Sequence, residues 1–146
     1  MAAMSESAEI AIERLIRAWA KAIGERRAEV AAACQSAQPV EFGLAPPLRV
    51  VGDPTKAMVA WFETWDGRFC YEPHDLEIAV DGTVAFAHCF MRLVGTKVTG
   101  EEVALWFRQT LGLRRQAIRW TIVHVHQSVP FLMDGSALAA LSLKPV

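Results

Sequence analysis

No stretch of this 146-residue chain approaches the ~18 to 20 consecutive apolar residues that a membrane-spanning helix requires. The first nine residues hold Ser5, Glu6 and Glu9, where a secretory leader has a basic start and an apolar run. Both absences predict a cytoplasmic protein with no membrane partner. Cysteine is scarce: Cys34, Cys70 and Cys89 are odd in number and widely spaced. That excludes a disulfide framework or a zinc knuckle and predicts reduced thiols packed as small hydrophobes. Charge of one sign is lacking too. Fifteen basic residues face sixteen acidic ones, net −1, with no long run of either, so the electrostatic footprint of a nucleic-acid binder is missing. Arg114 and Arg115, beside Arg119, are the densest basic point and read as a solvated hairpin tip. There is no phosphate-binding glycine loop or dinucleotide fingerprint, and no cofactor is expected. No Gly-x-Ser-x-Gly elbow surrounds Ser128, which argues against a serine nucleophile.

What is present is apolar material, 53% of residues, enough to build the core of one domain spanning residues 1–146. Residues 6–23 carry Ile12, Leu15, Ile16, Trp19 and Ile23 at helical spacing, with Glu13, Arg14, Arg17 and Lys21 opposite. A short alanine-rich helix is expected over Arg27 to Cys34. Residues 36–53, with Pro39, Pro46, Pro47, Gly43 and Gly52, form an extended, turn-rich connection. Asp53-Pro54 starts a third helix, carrying Met58, Val59, Phe62 and Trp65 and ending at Gly67.

From Arg68 the period changes to two. Leu76, Ile78 and Val80 alternate with polar residues up to the tight-turn signal Asp81-Gly82. Long strands follow over Val84 to Leu93, Glu102 to Leu113 and Arg119 to Ser128. Helices first and strands afterwards predict an α+β fold, with the helices on the concave face of a curved antiparallel sheet. Such a sheet is not filled by its helices, and the open end becomes a pocket. Trp19, Phe62, Trp65 and Trp106 are its candidate lining, or else simply core.

The last strand reads Trp120-Thr121-Ile122-Val123-His124-Val125-His126-Gln127-Ser128. Strict alternation puts Trp120, Ile122, His124, His126 and Ser128 on one face, passing from core into a polar row. Three readings of the histidine pair stand open. They line a polar pocket, where a neutral imidazole can act as acid or base. They bind zinc together with His88. Or they are structural. Arg108 shares a strand face with Trp106 and Thr110, and is costly to bury unless paired. It either meets solvent at a dimer surface, pairs with an acid, or points into the cavity to hold an oxyanion. With a strict Asp81-Gly82 turn, His88 shares a face with Asp75, away from Leu76 and Ile78; a bulge would reverse this.

Two segments carry a family resemblance: Trp106-Phe107-Arg108-Gln109-Thr110, and Trp120-x-Ile122-x-His124-x-His126-x-Ser128-x-Pro130. Together with the Pro46-Pro47-Leu48 bend and Asp81-Gly82, they resemble the SnoaL-like and ketosteroid-isomerase-like members of the nuclear transport factor 2-like superfamily. The resemblance implies a cone-shaped, cystatin-like α+β domain over about residues 6–131, with 132–146 as an extension. It also implies a homodimer, a deep cavity for a small organic molecule, and no metal. Enzymes of this kind use a pocket carboxylate to remove a proton beside a carbonyl. Related sequences often carry an aspartate on the segment matching Cys34 to Leu48; here Glu41 is the only carboxylate there. The expected function is binding, and isomerase, dehydratase or cyclase chemistry, on an oxygenated molecule that is acidic or carbonyl-containing. His126 and His124 are the expected acid–base groups, with Glu41 in reserve. Arg108, Trp106, Thr110 and His88, with Trp65, Phe62, Trp19 and Ser128, are the expected ligand contacts. The alternative is a non-catalytic binding or dimerising module with a vestigial pocket, which the missing aspartate favours.

Overall fold

The hydroxyl of Ser7 accepts the Ile10 N–H at 3.3 Å and starts the first helix, α1, Ala8–Gly24. It does so in a computed structural model that describes residues 6–146. The α1 stripe of Ile12, Ile16, Trp19 and Ile23 is buried, as its spacing requires. After the short α2, Ala28–Ala33, the chain becomes extended in β1, Gln35–Phe42, and β2, Val50–Val51. Asp53 accepts both the backbone N–H (2.9 Å) and the hydroxyl (2.7 Å) of Thr55, and α3 runs Thr55–Phe62. This helix stops short of Gly67 because the next residues are claimed by another element. Val98 N–H bonds to Thr64 O and Asp66 N–H to Thr96 O, pinning Trp65 against Lys97.

Four long strands follow: β3 Cys70–Asp81, β4 Val84–Thr96, β5 Glu102–Gln116 and β6 Arg119–Ser128. The sheet order is β2-β1-β6-β5-β4-β3. All neighbours are antiparallel except β1 and β6, which pair in parallel. The sheet is therefore mixed, and the segment expected as a connection supplies two of its strands. Pro39 is tolerated because it falls in the register break between Gln35 and Val40, outside the paired residues of β1.

Two turns differ from the sequence reading. Asp81 pairs with Val84, so the hairpin turns on Gly82-Thr83 rather than Asp81-Gly82. Strands β5 and β6 run on to Gln116 and Arg119, leaving Ala117 at φ 55° and Ile118 as the tip. Helix α1 packs on β3 and β6, on the face where Ala87, Met91, Leu111, Leu113 and Ile122 form the solid part of the core.

Gly95 is where an indole lies directly on a strand. A Cβ there would sit 2.7 Å from Phe69 Cβ and 2.9 Å from the Trp65 ring, and those two rings are stacked at 4.4 Å. Gly95→Ala is expected to destabilise the protein by about 1 to 3 kcal/mol through overpacking. Urea denaturation checks this; an unchanged midpoint would contradict the packing.

Candidate functional site

A cavity of about 520 Å³ opens between the concave sheet face, α3 and the segment around Pro46 and Pro47. Strand alternation brings Pro39, Glu41 and Gly43 to its wall from the β1 side. Phe107, Val125 and Gln127 line it from β5 and β6, Tyr71 from β3 and Leu93 from β4. The walls are mainly aromatic and aliphatic, with a few polar groups, the usual make-up of a small-molecule site.

Glu41 is the notable polar group. Among the described residues its carboxylate has neither a hydrogen-bond donor nor an ion-pair partner. Burial pushes it above the ordinary glutamate value of 4.5, because low-dielectric surroundings penalise the charged form. Its Oε1 lies beside Gly43, where a Cβ would come within 3.3 Å.

A ladder of side chains crosses the same face. Cys89 and Gln109 are cross-strand partners, as are Gln109 and Gln127. Gln109 donates to the Cys89 sulfur at 3.7 Å, and Gln127 donates to Gln109 Oε1 at 2.8 Å and to Tyr71 Oη at 2.7 Å. Gln109 is 1% exposed, and this pairing is what makes its burial tolerable. Both Gln127 N–H bonds are thereby used, and Tyr71 Oη is an acceptor within the ladder. The phenol proton remains free to donate. Burial raises the Tyr71 pKa, outweighing the Gln127 hydrogen bond, so the phenol keeps its proton. Burial likewise lifts the Cys89 thiol to about 11, which leaves it a packing group rather than a nucleophile. Trp19 donates its indole N–H to Gln35 Oε1 at 3.2 Å, leaving the Gln35 amide N–H bonds without an acceptor among the described residues.

On the α3 side Trp61 packs edge-on against Trp65, at 5.8 Å and 90°. The Lys97 ammonium lies 3.9 Å from the Trp65 ring centre and 5.7 Å from that of Trp61, and it donates to Thr64 Oγ1 at 2.9 Å. Burial lowers the Lys97 pKa, with Glu101 opposing the shift.

Of the residues expected from sequence, Trp19, Phe62, Trp65 and Glu41 line the cavity. His124, His126, Arg108, Trp106, Thr110, His88 and Ser128 do not; they lie on the outer face of the sheet. The reason is a β-bulge. Leu113 pairs with Ile122, but Gly112 pairs with His124, so Val123 is an extra residue that inverts the alternation. Trp120 and Ile122 are inside, and the inward row continues with Val125 and Gln127. On the outside, His124 Nδ1 is 2.7 Å from Val40 O, and Phe42 meets both imidazoles edge-on at 4.8 and 5.3 Å. Arg108 donates to Ser128 Oγ at 3.1 Å. Trp106 lies under Arg92 and beside His74.

His88 pairs with Glu77 and, on its other side, Thr110, which in turn pairs with His126. His88 is therefore two strand spacings, roughly 10 Å, from His126, too far to share one zinc ion with it. Its Nε2 is 3.3 Å from Glu77 Oε2. The proposed histidine acid–base pair and the Arg108 oxyanion clamp consequently do not meet the cavity.

Sequence reasoning passed over Tyr71, Gln127, Gln35, Trp61 and Lys97. A signal for part of this set was available. In Phe107-x-Gln109-x-Leu111-x-Leu113 an uncharged amide interrupts an apolar row. That row marks the inward face of β5 and leaves Arg108 outside.

The SnoaL-like domain model matches residues 12–132. No curated protein matches the chain. A nuclear transport factor 2-like protein of unknown function from Pseudomonas putida KT2440 is 29% identical, with a TM-score of 0.85 over 98% of this chain and 100% of that one. A ketosteroid isomerase-like protein from Erwinia carotovora atroseptica superposes at a TM-score of 0.70 and 20% identity, over 82% of this chain and 93% of that one. A candidate scytalone dehydratase from Novosphingobium aromaticivorans gives 0.75 at 14% identity, over 94% of each chain. With a curved sheet of six strands over three helices among the described residues, and a family model spanning most of its length, the chain belongs to the SnoaL-like domain family of the nuclear transport factor 2-like fold.

Proposed function

We propose that the protein binds a small, oxygenated, partly apolar molecule in the concave cavity and moves a proton on it, as an isomerase or dehydratase does. The observation that carries this reading is Glu41. It is an unpaired, desolvated carboxylate on a cavity wall, across from a phenol that is held protonated with its hydrogen free.

The Glu41 carboxylate takes a proton from the carbon beside a carbonyl. The C–H electron pair becomes a carbon–carbon double bond, and the carbonyl oxygen becomes an enolate. Tyr71 O–H donates to that oxygen as negative charge grows on it. Where the substrate carries a β,γ double bond the enolate is a dienolate, and the protonated Glu41 returns its proton to the γ-carbon as the carbonyl reforms and the double bond shifts to the α,β position, giving an isomer. In the dehydratase variant the enolate electrons expel a β-hydroxyl group, which leaves as water with that proton. Desolvation suits Glu41 to both steps, because a base of raised pKa accepts a proton more readily near neutral pH.

The test uses 2-tetralone, a flat ketone with exchangeable protons, in deuterated buffer. The protein is expected to speed deuterium uptake beyond that given by acetate at the same carboxylate concentration. Uptake no faster than acetate would reject the reading.

The outer sheet face suits a second copy of this chain. Val84 and Phe86, both 54% exposed, share this face with Phe90, Trp106 and the Phe42–His126 cluster, apolar surface set among His88, Arg92 and Arg108 that a twofold axis would cover with itself. Sedimentation equilibrium is expected to give twice the 16.1 kDa chain mass; a clean monomer at micromolar concentration would refute this. Three free thiols fit a cytoplasmic setting for the dimer. No helix among the described residues is long and apolar enough to cross a membrane.

A further inference from the structure

We propose that Lys97 is the anchor for a carboxylate on the ligand, so that the cavity's substrate class is a flat, unsaturated or aromatic acid. This inference rests on the reading that the cavity takes a small molecule.

Three observations carry it. First, among the described residues that line the cavity Lys97 is the only cationic side chain, and the acids are Glu41 and Asp53. Second, no carboxylate among the described residues lies within ion-pair reach of Lys97. Its ammonium makes a single hydrogen bond, to Thr64 Oγ1, so two of its three N–H bonds are unspent. The Glu101 carboxylate favours the ammonium's charge from beyond ion-pair distance, while its backbone carbonyl accepts the Lys97 backbone N–H at 2.8 Å. Third, the ammonium is held in place rather than swinging in water. It lies on the face of Trp65 and beside Trp61, a cation–π seat that fixes its position at the cavity wall.

The same indoles define what lies next to the acid group. Trp61, Phe62 and Trp65 offer flat apolar surface against which an aromatic or conjugated body packs. The Trp65 indole N–H is itself buried with no acceptor among the described residues. Asp53 Oδ1 accepts twice from Thr55, and its carboxylate makes no ion pair with Lys97.

Glu41 on β1 is level with Val125 on β6, Leu111 on β5 and Ala87 on β4, and Lys97 follows Ala87 by ten residues. A ligand carboxylate on Lys97 is thereby kept apart from the negative charge of Glu41. Burial lowers the Lys97 pKa, so the anchor loses its charge at a lower pH than a surface lysine would.

The experiment is a tryptophan-fluorescence titration with 2-naphthoate and with its neutral isostere 2-naphthamide. Wild type is expected to bind naphthoate about tenfold more tightly than naphthamide, the gain typical of one charge-assisted contact. Lys97→Met is expected to erase that preference while leaving naphthamide affinity within about twofold, and Lys97→Arg to keep most of it. In wild type the preference is expected to fade as pH rises into the alkaline range where Lys97 deprotonates, a readout that needs no variant. Equal affinity of wild type for the two probes overturns the Lys97 assignment and leaves the cavity reading standing. Persistence of the preference in Lys97→Met also overturns it. Binding of neither probe overturns the small-molecule reading and this inference with it.

Discussion

Glu41→Gln is expected to slow deuterium uptake into 2-tetralone by about 10²- to 10⁴-fold, the usual contribution of a positioned general base, while making the fold more stable at neutral pH. The two effects share one cause. The carboxylate is desolvated and unpaired among the described residues, so keeping it charged costs folding free energy. That same cost makes it a stronger base. An amide of the same shape removes the charge and the basicity together.

The pH dependence follows in sign. The folded-state pKa of Glu41 lies above its ordinary value of 4.5, so the folded protein holds this proton more tightly than the unfolded chain does. Below the unfolded value both states are protonated, and the full benefit of the neutral carboxyl is present. As pH rises through the folded pKa that benefit is lost. Wild type should therefore lose stability relative to Glu41→Gln across the window just above the ordinary glutamate range, and the gap should stay constant above it. Exchange activity should rise across the same window, since only the carboxylate can accept a proton. Thermal melts and exchange rates from acid to neutral pH check both. A variant less stable than wild type at neutral pH would mean that Glu41 makes favourable contacts absent from this account.

The second large effect is at Tyr71. Tyr71→Phe is expected to lower exchange by about 10²- to 10³-fold, the cost of removing one donor to a developing oxyanion. The hydroxyl does two things. It accepts from Gln127 at 2.7 Å, and it presents its own proton to the cavity. The first function is structural: without it one Gln127 N–H loses its partner, at a cost of about 1 to 3 kcal/mol. Gln127→Leu separates the two functions. It removes the ladder contact and leaves the phenol in place, so activity should fall far less than in Tyr71→Phe. Comparable losses in the two variants would show that Tyr71 acts only by holding the wall together.

The layered plan of the molecule was readable because its main signals are periodic. The Ile12, Ile16, Trp19, Ile23 stripe and the alternation along β4 and β5 each repeat several times, and every repeat votes for the same face. The site was less readable because it depends on single events that break a period. One extra residue, Val123, turns His124 and His126 outward and brings Val125 and Gln127 inward. No residue type at 122–124 announces a bulge, since Gly112, the glycine that accommodates it, lies on the partner strand, where a Cβ would approach His124 Cβ to 3.3 Å. Lys97 was invisible for a similar reason. It follows β4 in a turn, and it reaches the cavity only because Thr64, Trp65 and Asp66 leave the helical path to pair with residues 96–98. The parallel β1–β6 pairing was likewise hidden, because Pro39 and the glycines around it carry the composition of a connection. Glu41, by contrast, was marked by its solitude: it is the single carboxylate on its segment.

The proposed chemistry belongs to the concave side, at Glu41 and Tyr71, and not to the histidine row outside. A crystal structure of the protein with 2-tetralone tests it most directly. The ketone is expected inside the cavity, its oxygen within about 3 Å of Tyr71 Oη and an α-carbon facing the Glu41 carboxylate. A ketone lodged instead against His126 and Arg108, with the cavity closed over by Trp61 and Trp65, would contradict it.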